Sequence, residues 1–434
     1  MKVAVVGSGI SGLAAALRLQ PFAQVSLFEA EDYFGGHTHT VDVTLPGAQG
    51  PVTCGVDTGF LVFNERTYPQ LIALFAQLGV KTASSDMSFS VQVLDAHPDH
   101  PLEWSGSSLA TVFSQKRNLL NPRFLSMLRD LVRFNRLCTR LAETGKEASL
   151  HEPLDSFLIR HKFGQAFKDW YFLPMLACIW SCPVDQMLKF PVATMIRFCH
   201  NHGLLQINDR PQWHTVVGGA RHYVEKIIRQ IPDVRLQTPV LKIQRHENGV
   251  TLHTPAGQQV FDHVVLATHS DQALAMLENP TPLEQAVLGA IRYQPNLAVL
   301  HTDTSVLPQS RSAWAAWNYE RAANQEKERE QVCLHYLLNK LQPLPFEQPV
   351  VETLNPARPI QPEKILASFN YSHPVFDSQA IRAQQQLSNL QGQQRTWYCG
   401  AWTGYGFHED GLKSGLAVAQ GVLAQSGVLP KSGE

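Results

Sequence analysis

Three glycines near the N-terminus have the spacing of a phosphate-binding turn. Gly7, Gly9 and Gly12 follow the apolar residues 3–6 and precede a helical stretch over 13–19 that is rich in Ala and Leu. Gly7 permits a tight turn, Gly9 lets the backbone approach a pyrophosphate, and Gly12 permits close packing of a helix on a strand. The unpaired N–H groups and the dipole at the start of that helix would stabilise the phosphates. The pattern therefore predicts a dinucleotide-binding site.

Glu29 stands where a ribose-binding acid is expected, 17 residues after Gly12 and directly after the strand-like residues 25–28. A carboxylate at that position can accept hydrogen bonds from both ribose hydroxyls. The glycine pair Gly35-Gly36 then continues the motif in a way that resembles its flavoprotein version, and no second GxGxxG follows a strand. We therefore predict a single dinucleotide site, occupied by FAD. The residues of this stretch assigned to FAD are Gly7, Ser8, Gly9, Ile10, Ser11, Gly12, Glu29, Ala30, Gly35, Gly36, His37 and Thr38.

Composition limits the classes of function. The chain has 434 residues, enough for two domains, and its net charge of −1 provides no field that would favour nucleic acid. Seven cysteines are scattered without a CxxC, so neither a redox dithiol nor a metal site is predicted; reduced cytoplasmic thiols are expected. Cys178 and Cys182 are interpreted as two buried small side chains in preference to a redox pair. No apolar run reaches the roughly 18 residues needed to span a bilayer.

A second motif supports membership of a known superfamily. The segment Asp57-Thr-Gly59-Phe60-Leu61 follows the glycine motifs, and together they resemble the FAD-dependent amine oxidase superfamily. That superfamily includes monoamine oxidases, protoporphyrinogen oxidase and phytoene-type desaturases. The resemblance implies non-covalent FAD whose ring lies along the 57–61 segment. One departure is His37, since relatives commonly carry Arg there.

Later segments extend the resemblance over essentially the whole chain. It implies that Gly218-Gly219 precede a helix and then a strand over 234–243, with Val240 at the adenine. It also implies that the last helix directs its N-terminus at the flavin N1/C2 carbonyl, where the dipole would stabilise the reduced ring. The remaining residues assigned to FAD are Gly59, Phe60, Leu61, Val240, Ala267, Thr268, Gly400, Ala401, Gly411 and Leu412.

The predicted fold class is α/β, with a discontinuous Rossmann-type FAD-binding domain and an inserted α+β substrate domain. The FAD-binding domain is assigned to residues 1–79, 206–275 and 390–434. The substrate domain is assigned to 80–205, which is expected to be mostly helical, and to 276–389. Within the latter, the proline-rich residues 343–362 are interpreted as an extended connector.

Residues 116–140 form a basic, amphipathic helical segment. They include seven basic residues and one acid, Asp130. One interpretation is a solvated helix face, and the other is a docking surface for anionic lipid headgroups. The expected location is therefore cytoplasmic, with a peripheral membrane contact through residues 116–140 as a further hypothesis.

Three side chains are the candidates to face the substrate. His408 lies three residues before Gly411, where amine oxidases place one aromatic side chain of the cage that aligns the amine. We expect it on a loop before the last helix, where an imidazole with a pKa near 6.5 could orient substrate or move a proton. Tyr371 and His373 follow a strand-like stretch over 365–369 and are the other candidates, although a histidine before proline is often structural.

The resemblance implies hydride transfer between a C–H bond and flavin N5. The relatives most similar are bacterial flavoproteins of unassigned activity, believed to accompany enzymes that modify membrane fatty acids. The leading hypothesis is thus an oxidoreductase acting on a small apolar substrate such as a lipid acyl chain or polyene. Amine oxidation by O2, which the missing cage aromatic argues against, is an alternative. A redox-neutral isomerase or mutase using reduced FAD and a non-catalytic FAD-binding scaffold also remain open, as does the oligomeric state.

Overall fold

The computed structural model describes residues 1–47, 49–97, 99–180, 184–206, 210–321 and 332–428. The hypothesis about Cys182 lies outside these residues, whereas the six other cysteines all have free thiols. The described chain has the predicted α/β fold, in which two large sheets and several helices enclose the candidate site.

A five-stranded parallel sheet forms around the apolar N-terminal strand. Val3 pairs with Val25 on one side and with His263 on the other. Residues 3–6 are buried, which explains their continuously apolar sequence. The strands lie in the order Asp233–Arg235, Gln24–Phe28, Lys2–Val6, His263–Leu266 and Thr396–Tyr398. The sheet therefore draws on three separate stretches of the chain.

Helices Ile10–Leu19 and His408–Gln425 pack against each other beside this sheet. A Cβ atom added to Gly415 would overlap the carbonyl oxygen of Ser11, so the two backbones are in direct contact. Helices Pro69–Leu78 and Arg221–Ile228 contribute side chains to the same apolar core. The contact between these two helices thus joins the first and the last segment that were assigned to the FAD-binding domain.

The predicted strand over 234–243 is wrong in its extent. Strand Asp233–Arg235 ends early, and the next strand starts at Lys242. Val240 lies between them with a buried side chain. The three strands that follow form a separate antiparallel sheet, Lys242–His246, Gly249–Thr254 and Gly257–Phe261.

A seven-stranded sheet forms the second large layer. Only the pairing of Trp317–Arg321 with Phe89–Val93 is parallel; the others are antiparallel. The strands lie in the order Ile365–Val375, Arg292–His301, Val351–Leu354, Cys333–Leu337, Trp317–Arg321, Phe89–Val93 and Leu102–Ser105. Both stretches assigned to the substrate domain contribute strands to this sheet. The residue boundaries of the two domains remain a prediction.

Residues 343–362 are not simply a connector. Val351–Leu354 is a buried strand between two others of the seven-stranded sheet, so the prediction is wrong for these four residues. Prolines at 349 and 356 flank the strand and interrupt none of its hydrogen bonds. The smaller sheets are the hairpin Thr40–Gly47 with Gly50–Asp57, and a sheet of Phe63–Asn64, Trp213–Val216 and Thr82–Ser85.

Helices and short helical turns fill most of residues 109–201. The longest is Pro122–Glu143, where the Asn121 side chain caps the N–H groups of Arg123 and Phe124. Its buried face packs into the apolar core that also contains Tyr371. The others in this stretch are Leu109–Val112, Lys116–Leu120, Lys146–Ser149, Leu154–Arg160, Gln165–Phe167, Lys168–Phe172, Leu173–Trp180, Val184–Met187 and Val192–Asn201. Elsewhere the helices are Ser270–Met276, Pro282–Leu288, Leu338–Leu341 and Ser378–Gln386. Within the described residues, none is both long and apolar enough to cross a membrane.

Candidate functional site

The first glycine turn leaves an open cradle at the start of helix Ile10–Leu19. Gly7 has a φ of +97°, which the turn out of the first strand requires. A Cβ atom on Gly12 would overlap the carbonyl oxygen of Gly7, whereas one on Gly9 would meet no atom within 4 Å. Gly9 is the N-cap, and no side chain caps the helix. The N-terminal N–H groups therefore face free space, as an anion-binding helix end requires.

Glu29 lies beside this cradle and is held by four hydrogen bonds. Its Oε2 accepts from the backbone N–H of Ser8 at 2.9 Å and from the Ser8 hydroxyl at 2.5 Å. Its Oε1 accepts from the N–H groups of Ala30 and Glu31 at 2.8 and 3.0 Å. The Ser8 hydroxyl also accepts from the N–H of Gly35 at 3.0 Å. Ser8 therefore connects the carboxylate to the second glycine pair.

The other backbone segments assigned to FAD converge on the same turn. The carbonyl oxygen of Ala267 lies against Gly7, and Gly36 lies against Gly9. Gly411 packs on the side chain of Ile10 and close to Ala401. The Trp402 indole fixes Thr268 by donating to its carbonyl oxygen at 3.1 Å, and the same indole ring lies against Gly400. By contrast, the side chains of Leu61, Val240 and Leu412 pack in hydrophobic cores.

The Asp57 segment is attached to the Gly218-Gly219 turn. The carboxyl group of Asp57 accepts from the N–H of Ala220 at 2.9 Å and from Gln342 Nε2 at 2.7 Å. Burial raises the pKa of Asp57 to about 7. Two residues later, a Cβ on Gly59 would overlap the carbonyl oxygen of His37. The aspartate thus holds the Gly59-Phe60 backbone in position.

His408 is the first residue of the last helix and does not lie on a preceding loop, which corrects the sequence-based expectation. Its Nε2 lies 2.8 Å from the hydroxyl of Tyr223 and 3.0 Å from Oγ1 of Thr38. Its ring stacks on Phe60 with 3.7 Å between the ring centroids. Burial lowers the pKa of His408 to about 3, well below the unperturbed value near 6.5. The imidazole is neutral at physiological pH.

His37 stands at the centre of a cluster of aromatic rings. Its ring centroid lies 5.2 Å from that of Tyr371, 5.4 Å from His373 and 6.2 Å from His269. Burial, then His373, His269 and His408 in that order, lower the pKa of His37 well below its usual value. The structure therefore brings all three predicted catalytic side chains around a residue that was assigned to the cofactor.

Tyr371 and His373 are each fixed by residues that the sequence analysis missed. The Tyr371 hydroxyl lies 2.8 Å from Thr58 Oγ1 and 3.0 Å from His39 Nδ1. His373 Nδ1 accepts from Asn296 Nδ2 at 2.9 Å, which leaves the ring hydrogen on Nε2. Burial lowers the pKa of His373 to about 4.

An internal space lies between these side chains. His37, His373 and His408 are surrounded by protein atoms, yet each retains accessible surface. We infer from this combination that they border a common recess. Nε2 of His37 is buried there without a hydrogen-bond partner among the described residues. We call this the histidine-lined space, bounded by His37, His269, His373 and His408.

These features fit a bound dinucleotide with a ring system. The cradle at Gly9 offers N–H donors to a pyrophosphate, and Glu29 offers an acceptor close to it. The buried Nε2 of His37 lacks a hydrogen-bond partner among the described residues, and a bound polar group would supply one. The three glycines of the cradle, Gly7, Gly9 and Gly12, lie together at the start of helix Ile10–Leu19.

Comparison with known proteins agrees with this geometry. Residues 10–423 match the family described as flavin-containing amine oxidoreductase. The putative flavin-containing monoamine oxidase AofH of Mycobacterium tuberculosis is 25% identical over 301 residues, which are 65% of this chain and 60% of that protein. The carotenoid phi-ring synthase of Streptomyces griseus is 29% identical over 322 residues, 69% of this chain and 57% of that protein. These matches thus span about 60% of the curated relatives.

Solved structures share the fold over nearly the whole chain. A CLA-producing fatty acid isomerase from P. acnes has a TM-score of 0.66 at 16% identity, covering 98% of both chains. Cyclohexylamine oxidase from Brevibacterium oxydans IH-35A has a TM-score of 0.66 at 16% identity, covering 98% of this chain and 99% of that one. Since the family match covers residues 10–423, the chain belongs to the flavin-containing amine oxidoreductase family.

Proposed function

We propose that this enzyme transfers hydride between an apolar substrate, such as a lipid acyl chain or polyene, and FAD. When bound, FAD supplies the hydride acceptor or donor at N5. The protein's residues bind the substrate, orient it and exclude water. The observation that carries the proposal is the cluster of aromatic rings around His37, whose centroids lie 5.2 to 6.2 Å from the His37 ring.

The four imidazoles that bound this space are neutral at physiological pH. Burial is the main cause of the lowered pKa values of His37, His269, His373 and His408. Beside them, burial raises the pKa of the Tyr371 hydroxyl above its usual value. A space surrounded by neutral rings would accept a hydrocarbon at little desolvation cost, whereas an ammonium group would lose hydration without gaining a counter-ion.

We assign positioning roles to the three predicted catalytic side chains. His408 would hold a wall of the site in place, because its Nε2 is already bonded to Tyr223 and Thr38. His373 would present its Nε2 hydrogen as a donor. Tyr371, with its hydroxyl bonded to Thr58 and His39, would present an aromatic ring to the substrate.

Redox-neutral isomerisation is a second candidate. Isomerisation needs the same apolar space, because the hydride leaves the substrate and then returns to that same substrate molecule. One protein of the same fold is a fatty acid isomerase. This similarity supports the candidate by analogy alone. Oxidation of an amine by O2 is less well supported, since His408 replaces the cage aromatic and is held by two hydroxyl groups.

Anaerobic mixing of the holoenzyme with candidate substrates tests the proposal. Unsaturated fatty acids or polyenes should bleach the visible flavin absorbance, while primary amines should not. Bleaching by amines together with peroxide release in air would overturn it. Product formation only after chemical pre-reduction of the flavin would favour the isomerase. A lipid comparison between a deletion strain and its parent would identify the physiological substrate.

A further inference from the structure

Large apolar side chains stand exposed next to the long basic helix. Leu109, Leu119 and Leu120 are 80%, 51% and 88% exposed. Leu119 and Leu120 lie on the short turn Lys116–Leu120, which packs against the start of helix Pro122–Glu143. Isolated exposed leucines need no explanation, but adjacent ones beside a charged surface indicate an interaction site.

Basic side chains follow along the outer face of the same helix. Arg129, Arg136 and Arg140 line a surface groove together with Val132. Spacings of three and four residues place these side chains on one face. The guanidinium groups of Arg136 and Arg140 form no hydrogen bond or ion pair with any described residue, so their charges are available to a partner.

The charge of this face is not compensated locally. Of the two acids of helix Pro122–Glu143, Asp130 is buried, and its Oδ2 accepts from the backbone N–H of Gly164 at 2.8 Å, while Glu143 is exposed at the C-terminal end. Asp130 lies 3.3 Å from Arg133 and 3.9 Å from Arg129 and reaches no other arginine of the helix. The whole chain has a net charge of −1. The helix, by contrast, carries five arginines against these two acids, so its local charge is positive.

We propose that this surface docks on an anionic lipid bilayer. We name it the basic–leucine face and define it as Lys116, Leu119, Leu120, Leu125, Arg129, Val132, Arg136 and Arg140. The leucines would enter the boundary between headgroups and acyl chains, and the arginines would contact lipid phosphates. Charge and exposed apolar surface together fit a membrane better than they fit a soluble anion, which would use the charge alone.

The helix of the basic–leucine face belongs to the same continuous apolar core as Tyr371. On its inner side the same helix buries Phe124, Met127 and Phe134 in the apolar core that includes Tyr371. The inference deepens the proposed function by naming a bilayer as the source of an apolar substrate. Lipid binding is measured without turnover, so the two proposals can fail separately.

Flotation of the purified holoenzyme with vesicles tests the docking. Vesicles of phosphatidylcholine alone are compared with vesicles that contain phosphatidylglycerol, at low and at physiological salt. The double variant Arg136→Glu/Arg140→Glu removes charge, and Leu119→Ser/Leu120→Ser removes the apolar anchors. The matched control is Lys81→Glu/Arg229→Glu, two exposed basic residues outside the face. Circular dichroism and bound flavin establish that every variant is folded.

We expect the wild type to float with phosphatidylglycerol vesicles and the control to behave like it. The Arg double variant should lower the apparent affinity about 10-fold or more. The Leu double variant should lose the binding that persists at physiological salt. The proposal is overturned if the wild type does not bind phosphatidylglycerol vesicles at low salt. It is also overturned if the control variant loses as much affinity as the Arg double variant. Equal affinity for duplex DNA at the same salt concentration would also overturn it.

Discussion

The rings of His408 and Phe60 stack face to face, with 3.7 Å between their centroids and 13° between their planes. His408 begins the last helix of the chain, and Phe60 lies within the segment Asp57–Leu61. The contact joins the two segments that were assigned to the flavin ring. A change at either ring should therefore affect both the wall of the site and the stability of the fold.

Substitution of His408 should separate packing from hydrogen bonding. His408→Ala removes the stacked ring and should lower the free energy of unfolding by about 2–4 kcal/mol. Tyr223→Phe removes only one hydrogen bond and should cost about 1 kcal/mol. Urea unfolding measures both. If His408→Phe restores stability and the rate of flavin reduction, His408 acts as a wall; restored stability with a persistently slow rate would contradict that role.

Gly9 and Gly12 should respond differently to the same added methyl group. Gly9→Ala adds a Cβ in free space, so the apoprotein should keep its thermal stability while FAD affinity falls by about 10-fold or more. Gly12→Ala directs the Cβ into the carbonyl oxygen of Gly7 and should destabilise the protein itself. Gly9→Asp should abolish FAD binding, because a carboxylate would enter the place of the pyrophosphate. A normal flavin spectrum for Gly9→Asp would show that the cofactor lies elsewhere.

Glu29→Gln should weaken FAD binding less severely than Gly9→Asp. The amide keeps one acceptor oxygen but loses charge-assisted hydrogen bonds, at a cost of about 1–3 kcal/mol in binding. Ser8→Ala is the matched control, since it removes one donor to Oε2 and leaves the carboxylate charged. Equilibrium titration with FAD measures both affinities. Unchanged affinity for Glu29→Gln would exclude the carboxylate from ribose binding.

The buried histidines should make the protein less stable in mild acid. Burial lowers the pKa of His373 to about 4 and that of His408 to about 3, while the unfolded chain protonates its histidines near 6.5. The unfolded state therefore binds more protons below pH 6.5, and stability falls from there toward about pH 4. Each group contributes a slope of at most about 1.4 kcal/mol per pH unit. His408→Phe should show a shallower slope than the wild type in urea unfolding at several pH values; an equal slope would contradict the depressed pKa.

FAD should be released when the protein is denatured. The cradle at Gly9 and the carboxylate of Glu29 would bind the ADP half through hydrogen bonds alone. Acid precipitation should leave the yellow colour in the supernatant. Colour that remains in the pellet would demonstrate a covalent flavin.

Short-range patterns were sufficient to predict the cofactor and the fold class. The spacing of Gly7, Gly9 and Gly12 specifies one turn and one helix start, which depend on residues next to one another in the chain. The alternation of apolar strands and helices likewise predicts a parallel sheet. The same local reasoning was wrong for Val351–Leu354. The prolines of this stretch lie on either side of the strand, and their number does not indicate which strands it pairs with.

The arrangement of the site was decided by tertiary structure. Tyr223 and His408 are separated by 185 positions, and Asn296 and His373 by 77, so no local pattern links them. The pKa of His408 also could not be read from its residue type, since it depends on how many protein atoms surround the imidazole. The sequence by itself determined the glycine turn at Gly7–Gly12 to which we assign the dinucleotide, because backbone geometry is local. Only the packing of distant segments decided which side chains surround the histidine-lined space and that their imidazoles are neutral.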